Sequence, residues 1–369
     1  MHKEDQMTPL ARRQALANNQ QADRMPIALA YGCAAGDLLG LKYSQWREEP
    51  ELRAKVILHA YRELGYDNVA TQYDTDALVG LFGGELFISD IGPNSVKRPP
   101  VADLNDLSSL NLDLVCSKKD YTFQHTYEVF HRLQAAAGDE VGAIGVGMEG
   151  PFTLAARFAG AANLLRAIYR NPEQAHKIIR FAADVLIKVH TLFLKEGSSV
   201  ATMDPVASGT MLSRTTYQQF AKPYTAYVFA ELSKVRPAGI LLHICGNTAK
   251  TLADMAATGC SAISVDNAVD LETAKKLIGT KVHLVGNLPP VDVLRFGTLE
   301  AIDRGIRLCF RKAYDSPKGF TLGTGCAVSI GTPAENLYQY MKTARECAKI
   351  QANTPAAQLS AAAFDKKAT

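Results

Sequence analysis

The run Gly239-Ile240-Leu241-Leu242-His243-Ile244-Cys245-Gly246 is an apolar stretch that ends in two transition-metal ligands. Residues two apart on a strand face the same side, so His243 and Cys245 point one way if the strand continues through them. An imidazole nitrogen beside a thiolate sulfur is a donor pair suited to Zn²⁺, and a catalytic zinc takes three protein ligands while keeping one position open. Cys326 is the candidate third ligand. It ends Gly319-Phe320-Thr321-Leu322-Gly323-Thr324-Gly325-Cys326, a second apolar run that stops in glycines and then a thiol. The alternative is that both thiols are apolar filler, the commoner fate of a free cysteine, and that His243 is a hydrogen-bonded structural histidine. Their shared placement at two strand ends favours the metal. Cys33, Cys116, Cys260, Cys309 and Cys347 have no metal-type spacing and read as structural.

Such ligands need a scaffold of strands. From about residue 66, short β-type runs alternate with longer amphipathic stretches, the pattern of parallel strands crossed by helices. Strands are expected over 68–72, 141–148, 199–203, 239–242, 262–265, 282–285 and 319–322. Helices are expected over 161–170, 172–194, 216–234, 248–258, 271–277 and 299–312, and a last long one capped by Thr332, with Pro333 first and Glu335 third. Seven visible strands imply an α/β fold, a (β/α)8 TIM-type barrel with one strand unseen. Residues 1–65 read as a mainly helical N-terminal extension that packs outside the barrel or covers one end, and residues 66–350 as the catalytic barrel. Residues 351–369, rich in Ala and ending Asp365-Lys366-Lys367 before Ala368 and Thr369, read as a flexible tail with little to bury.

In such a barrel the reactive groups sit at the C-terminal ends of strands. Asp74, Glu149, Asp204, His243, Cys245, Asp266, Asn287 and Cys326 all fall there in turn. Any one of them could merely cap the next helix, an alternative that stays open above all for Asp74 and Asn287. Asp266, Asp204 and Glu149 are expected in catalysis, and Asn287 and Asp74 in contact with a cofactor.

Composition excludes other classes. Hydrophobic residues are 47% and charged residues 21%, ordinary globular values. The net charge of +3 comes with no basic run interleaved with aromatics, which argues against nucleic-acid binding. No apolar stretch reaches transmembrane length and the first residues lack a signal-peptide core, so the expectation is no membrane role. Seven cysteines, an odd number, fit a reducing compartment and a cytoplasmic location.

Over residues 30–349 the sequence resembles the uroporphyrinogen decarboxylase superfamily. The resemblance is carried by Gly150-Pro151-Phe152-Thr153-Leu154, by Asp204 with Phe220-Ala221-Lys222-Pro223-Tyr224, by Val285-Gly286-Asn287-Leu288-Pro289-Pro290, and by Thr332-Pro333-Ala334-Glu335-Asn336. It implies a distorted (β/α)8 barrel. The true decarboxylases bind a tetrapyrrole through an arginine-rich N-terminal segment and use no metal. The corresponding Tyr31-Gly32-Cys33-Ala34-Ala35-Gly36-Asp37 has no arginine, and Cys326 replaces the histidine that decarboxylases carry six residues before their Thr-Pro pair. Those differences resemble the zinc-dependent branch typified by methylcobamide:coenzyme M methyltransferases. The resemblance implies zinc on His243, Cys245 and Cys326, with Asp266 as a fourth ligand or as the carboxylate that orients His243.

The activity implied is transfer of a methyl group between a methylated corrinoid and a thiol like coenzyme M. No Asp-x-His-x-x-Gly segment appears, so a partner corrinoid protein is expected to carry the methylcobamide. The reverse direction is an alternative, demethylation of a methoxylated, methylthio or methylamine compound onto the corrinoid. Uroporphyrinogen decarboxylation is another. The ligand assignment predicts about one zinc per chain. Elemental analysis should find it largely lost from Cys245→Ala and Cys326→Ala and retained in Cys260→Ala; full zinc in both ligand variants would remove the assignment.

Overall fold

Nine strands form in the computed structural model, which describes residues 2–236, 239–355 and 357–365. They are β1 (Ala70–Gln72), β2 (Glu85–Phe87), β3 (Ser95–Arg98), β4 (Gly145–Glu149), β5 (Ser199–Met203), β6 (Ile240–His243), β7 (Ala262–Ser264), β8 (His283–Leu288) and β9 (Phe320–Thr324). Seven make one parallel sheet in the order β1-β4-β5-β6-β7-β8-β9, while β2 and β3 pair separately as an antiparallel hairpin. Each parallel step crosses by helix, as parallel strands require. The crossover helix Pro172–Lys195 buries Ile178, Ile179, Ala182, Leu186, Val189 and Phe193, the three-and-four spacing of one helical face.

The unseen eighth position lies in the N-terminal segment. Ile27 forms a parallel bridge to Leu322 of β9, and the Ala28 N–H donates to the Leu322 carbonyl at 2.8 Å. On its other side the Ile27 carbonyl accepts from the N–H of Asp67, just before β1, at 2.8 Å. The Asn68 amide brackets Leu29 through both its N–H and C=O. The segment expected to pack outside therefore contributes to the wall, and the curled sheet closes as a TIM-type barrel. Three residues after Pro26 give too short a pattern to read as a strand.

Other expectations shift. Pro223 falls inside the helix expected over 216–234 and cannot supply an N–H. The backbone runs as a short helix Arg214–Thr216, a wide π turn Tyr217–Ala221, then helix Lys222–Val235. The last helix begins one residue later than expected, at Ala334, and the Thr332 hydroxyl donates back to the Ser329 carbonyl instead of capping it. In the tail, Phe364 is fully buried and stacks on Phe310 at 5.4 Å, so this stretch does bury a large side chain; residues 366–369 lie outside the described residues. No helix among the described residues is long and apolar enough to cross a membrane.

The N-terminal segment is held by buried charge. Arg12 and Arg24, both essentially unexposed, converge on Asp67, which also accepts the Ile27 N–H at 2.7 Å. Asp23 takes the other edge of Arg12 and Asp5 that of Arg24. Removing one partner of a buried ion pair strands the other without compensation. Asp67→Ala should therefore cost about 3–5 kcal/mol of unfolding free energy, measured by denaturant titration; a change near zero would show the network to be dispensable.

Candidate metal centre

Residues at the C-terminal mouth of the barrel are aligned by strand register. Met203 pairs with His243, and His243 with Ser264. His243 is the last residue of β6 and is buried. Its Nδ1 lies 3.1 Å from the Ser264 carbonyl oxygen and 3.2 Å from the Ser264 hydroxyl. A carbonyl only accepts, so Nδ1 carries a proton and Nε2 is the nitrogen that faces the thiols. Cys245 Sγ is 3.3 Å from that Nε2 and 3.7 Å from Cys326 Sγ. One donor atom each from His243, Cys245, Asp266 and Cys326 lies within 4.8 Å of all the others.

The donor set suits a tetrahedral divalent ion. Ligand atoms at about 2.0–2.3 Å from a common ion stand about 3.3–3.8 Å apart, which matches the contacts of Cys245. Cys326 is lowered by hydrogen bonds from Cys245 and then His243, and Cys245 is raised by its bond to Cys326 and by burial. Burial alone would lower His243, but its hydrogen bond to Cys326 and that neighbour's charge outweigh burial and raise it. The cluster thus favours a thiolate on Cys326 facing protonated neighbours, whose protons a bound ion would displace. Gly325 is required here, since a Cβ would come within 2.5 Å of the Asn267 backbone nitrogen.

The other expected residues divide by task. Asp266 joins the cluster, but Ser264, not Asp266, orients His243; Asp266 Oδ1 accepts the Ala268 N–H at 2.8 Å. Asp204 is fully buried and its carboxylate accepts the Thr153 N–H at 2.7 Å and the Thr153 hydroxyl at 2.6 Å, at the start of helix Pro151–Ala159. Burial raises its pKa to about 6 against those bonds. These bonds make it an anchor of the helix terminus. A Cβ on Gly150 would strike it at 2.5 Å. Asn287 donates to the carbonyls of Asp266 and Val269 at 3.1 and 2.7 Å and so ties down the loop bearing Asp266.

Glu149 and Asp74 lie instead in a cleft of about 150 Å³ with Cys33, Tyr43, Asp76 and His125. Arg157 holds Glu149 through a bidentate pair and Asp76 through a third contact, and the Thr75 hydroxyl donates to Glu149 at 2.7 Å. Arg53, buried, holds Asp74 at 2.7 Å. Sequence reasoning missed Ser264, Asp76, His125 and Arg157. Asp76 repeats the strand-end acid two residues after Asp74, and Arg157 sits on the helix after Glu149, signals a search for acid–base pairs would find.

A family model described as uroporphyrinogen decarboxylase matches residues 8–347, and the chain belongs to that family. A methylcobamide:CoM methyltransferase from Methanosarcina mazei is 29% identical over 93% of this chain and 98% of its own. A uroporphyrinogen decarboxylase from Trichodesmium erythraeum is 30% identical over 62% of this chain and 64% of its own. The solved structure of a methyltransferase from Methanosarcina mazei matches with TM-score 0.79 at 25% identity, over 92% of this chain and 99% of that one. Within the family the chain therefore sits in the methyltransferase-like branch and is an enzyme of methyltransferase type.

Ser264 offers His243 both a carbonyl and a hydroxyl, and only the hydroxyl can be mutated away. Loss of a group that orients a ligand costs about 10–100-fold in metal affinity, and with the carbonyl left the lower end applies. Ser264→Ala should weaken zinc binding by about tenfold in a chelator-competition titration; unchanged affinity would leave orientation to the backbone alone.

Proposed function

We propose that the protein is a zinc-dependent methyltransferase that moves a methyl group between a methylated corrinoid, carried by a partner protein, and a thiol such as coenzyme M. The observation that carries this reading is the convergence of His243, Cys245, Cys326 and Asp266 donors within 4.8 Å. Relatives named for the same reaction span nearly the whole chain. When bound, the ion supplies Lewis acidity that favours the deprotonated form of an incoming thiol.

The chain's own residues set the conditions. His243 and Cys245 hold the position from β6 and Cys326 from beyond β9, and the Ser264 carbonyl keeps the His243 ring with Nε2 facing the thiols. Asp266 is the one oxygen donor among softer ligands, so it is the natural ligand to yield to a substrate sulfur. The methyl carbon would exchange its bond to the corrinoid for one to sulfur, the electron pair of the broken bond staying with the corrinoid and the thiol proton going to solvent. The decarboxylase alternative finds less support, because decarboxylase relatives cover 62% of the chain or less.

With methylcobalamin as free donor and 2-mercaptoethanol as acceptor, the corrinoid absorption spectrum should change at a rate that falls about a hundredfold or more when zinc is removed. X-ray absorption at zinc should show one more sulfur when the thiol is added. An unchanged shell together with metal-dependent demethylation of a methylated small molecule would reverse the direction of transfer.

A further inference from the structure

The cleft beside the metal ligands carries an imbalance of charge that the methyl-transfer reading does not use. It is lined by four carboxylates, Glu48, Asp74, Asp76 and Glu149, and the cations against them are Arg47 and Arg157 on its wall and Arg53 behind Asp74. Three guanidinium groups thus face four carboxylates. Each guanidinium is already engaged: Arg157 is shared between Glu149 and Asp76, and Arg53 spans Asp74 and the Gln72 carbonyl. Arg47 spans Glu48, the Ser89 carbonyl and Asn94. Asp74 and Asp76 each commit one oxygen to an arginine, and among the described residues the other oxygen has no hydrogen-bond donor.

Two further observations point to a ligand. His125 lines the cleft, is 6% exposed, and its Nε2 has no hydrogen-bond partner. A buried polar nitrogen left unpaired costs free energy that a bound group would recover. Burial raises Asp76 to about 6 against the pull of Arg157, and its neighbours Glu149 and Asp74 push the same way, so a further cation beside it would be favoured. Glu149 and His243 stand in register two strands apart through Met203, which places their backbones about 10 Å apart at the same mouth.

We infer that this cleft binds the ammonium end of a small reactant, with Asp74 and Asp76 as charge partners and Tyr43 and His125 as its polar and aromatic wall. The inference rests on the methyl-transfer reading and narrows it, putting a cationic reactant in the place that the anionic coenzyme M would take. An anionic tail, such as a sulfonate, would meet surplus carboxylate instead of a free cation, and like charges brought together in a poorly solvated cleft are strongly disfavoured. The volume suits an amine headgroup. The cation has two possible sources, an aminothiol acceptor or a methylated ammonium donor.

Calorimetric titration of the zinc-loaded full chain separates them, using 2-aminoethanethiol, 2-mercaptoethanol and 2-mercaptoethanesulfonate, which share a thiol and differ in charge, and choline, a cation without one. The cationic thiol should bind at least about tenfold tighter than the sulfonate, with the neutral thiol between them. Asp76→Asn should shrink that ratio at least about threefold; Asp74→Asn serves as a second variant should the first fail to fold. Choline competing with the aminothiol supports the inference and assigns the cation to the acceptor. Choline binding where no thiol binds also supports it and assigns the cation to the donor. A sulfonate that binds tightest, a charge order unchanged in both variants, or no binding by any of the four overturns it. Methylcobalamin turnover with 2-mercaptoethanol depends on none of these orders, so the methyl-transfer reading stands or falls separately.

Discussion

Closure of the barrel is the constraint on which the rest depends. In a flat sheet, β6 and β9 would stand three strands apart, about 14 Å, yet the sulfurs of Cys245 and Cys326 are 3.7 Å apart. Curvature and the loops that fold over the mouth make up the difference. The curvature is fixed at the seam, where Ile27 fits between Leu322 and Asp67, and the seam is fixed by a carboxylate that accepts from Arg12, Arg24 and the Ile27 backbone together. Burying that much charge is unfavourable in itself and tolerable only because every member is paired. Such an arrangement admits few alternative geometries.

The same logic sorts the polar residues at the mouth. Wherever a carboxylate or amide is buried and its atoms are satisfied by backbone, it serves geometry: Asp204 at the helix start, Asn287 on the Asp266 loop. Wherever donor atoms of opposite chemical softness crowd together without satisfying one another, chemistry is left over. The thiols with His243 are one such place. The acid-rich cleft around Asp76 is the other.

Much of this was legible in the sequence. His243, Cys245 and Cys326 could be read because strand periodicity and ligand chemistry are both local, and each thiol follows an apolar run of its own. The seven main strands were visible for the same reason. The eighth position was not, because a short stretch after Pro26 has no periodicity and becomes a strand only through partners supplied by β9 and the residues before β1. The anchoring bonds of Asp204 and Asn287 were hidden on the same ground: a strand-end acid or amide looks alike whether it faces a substrate or a helix terminus, and its partners at Thr153 or on the Asp266 loop come from the packing. The hairpin of β2 and β3 escaped notice since its strands are short and largely exposed, which leaves no buried face to impose a pattern.

The seam also bears on how the chain reaches its folded state. Ile27 meets Leu322, and the Met25 backbone meets Ala348, so the joint links stretches separated by nearly the whole sequence. Pairings of that kind must overcome a large loop-closure entropy before they return any contact energy, and they form late. Cys326 lies just past the strand that takes part. Until that joint forms, the barrel stays open at β9, the strand that Cys326 follows. Convergence of Cys326 with His243 and Cys245 is therefore expected to follow closure of the seam and not to precede it.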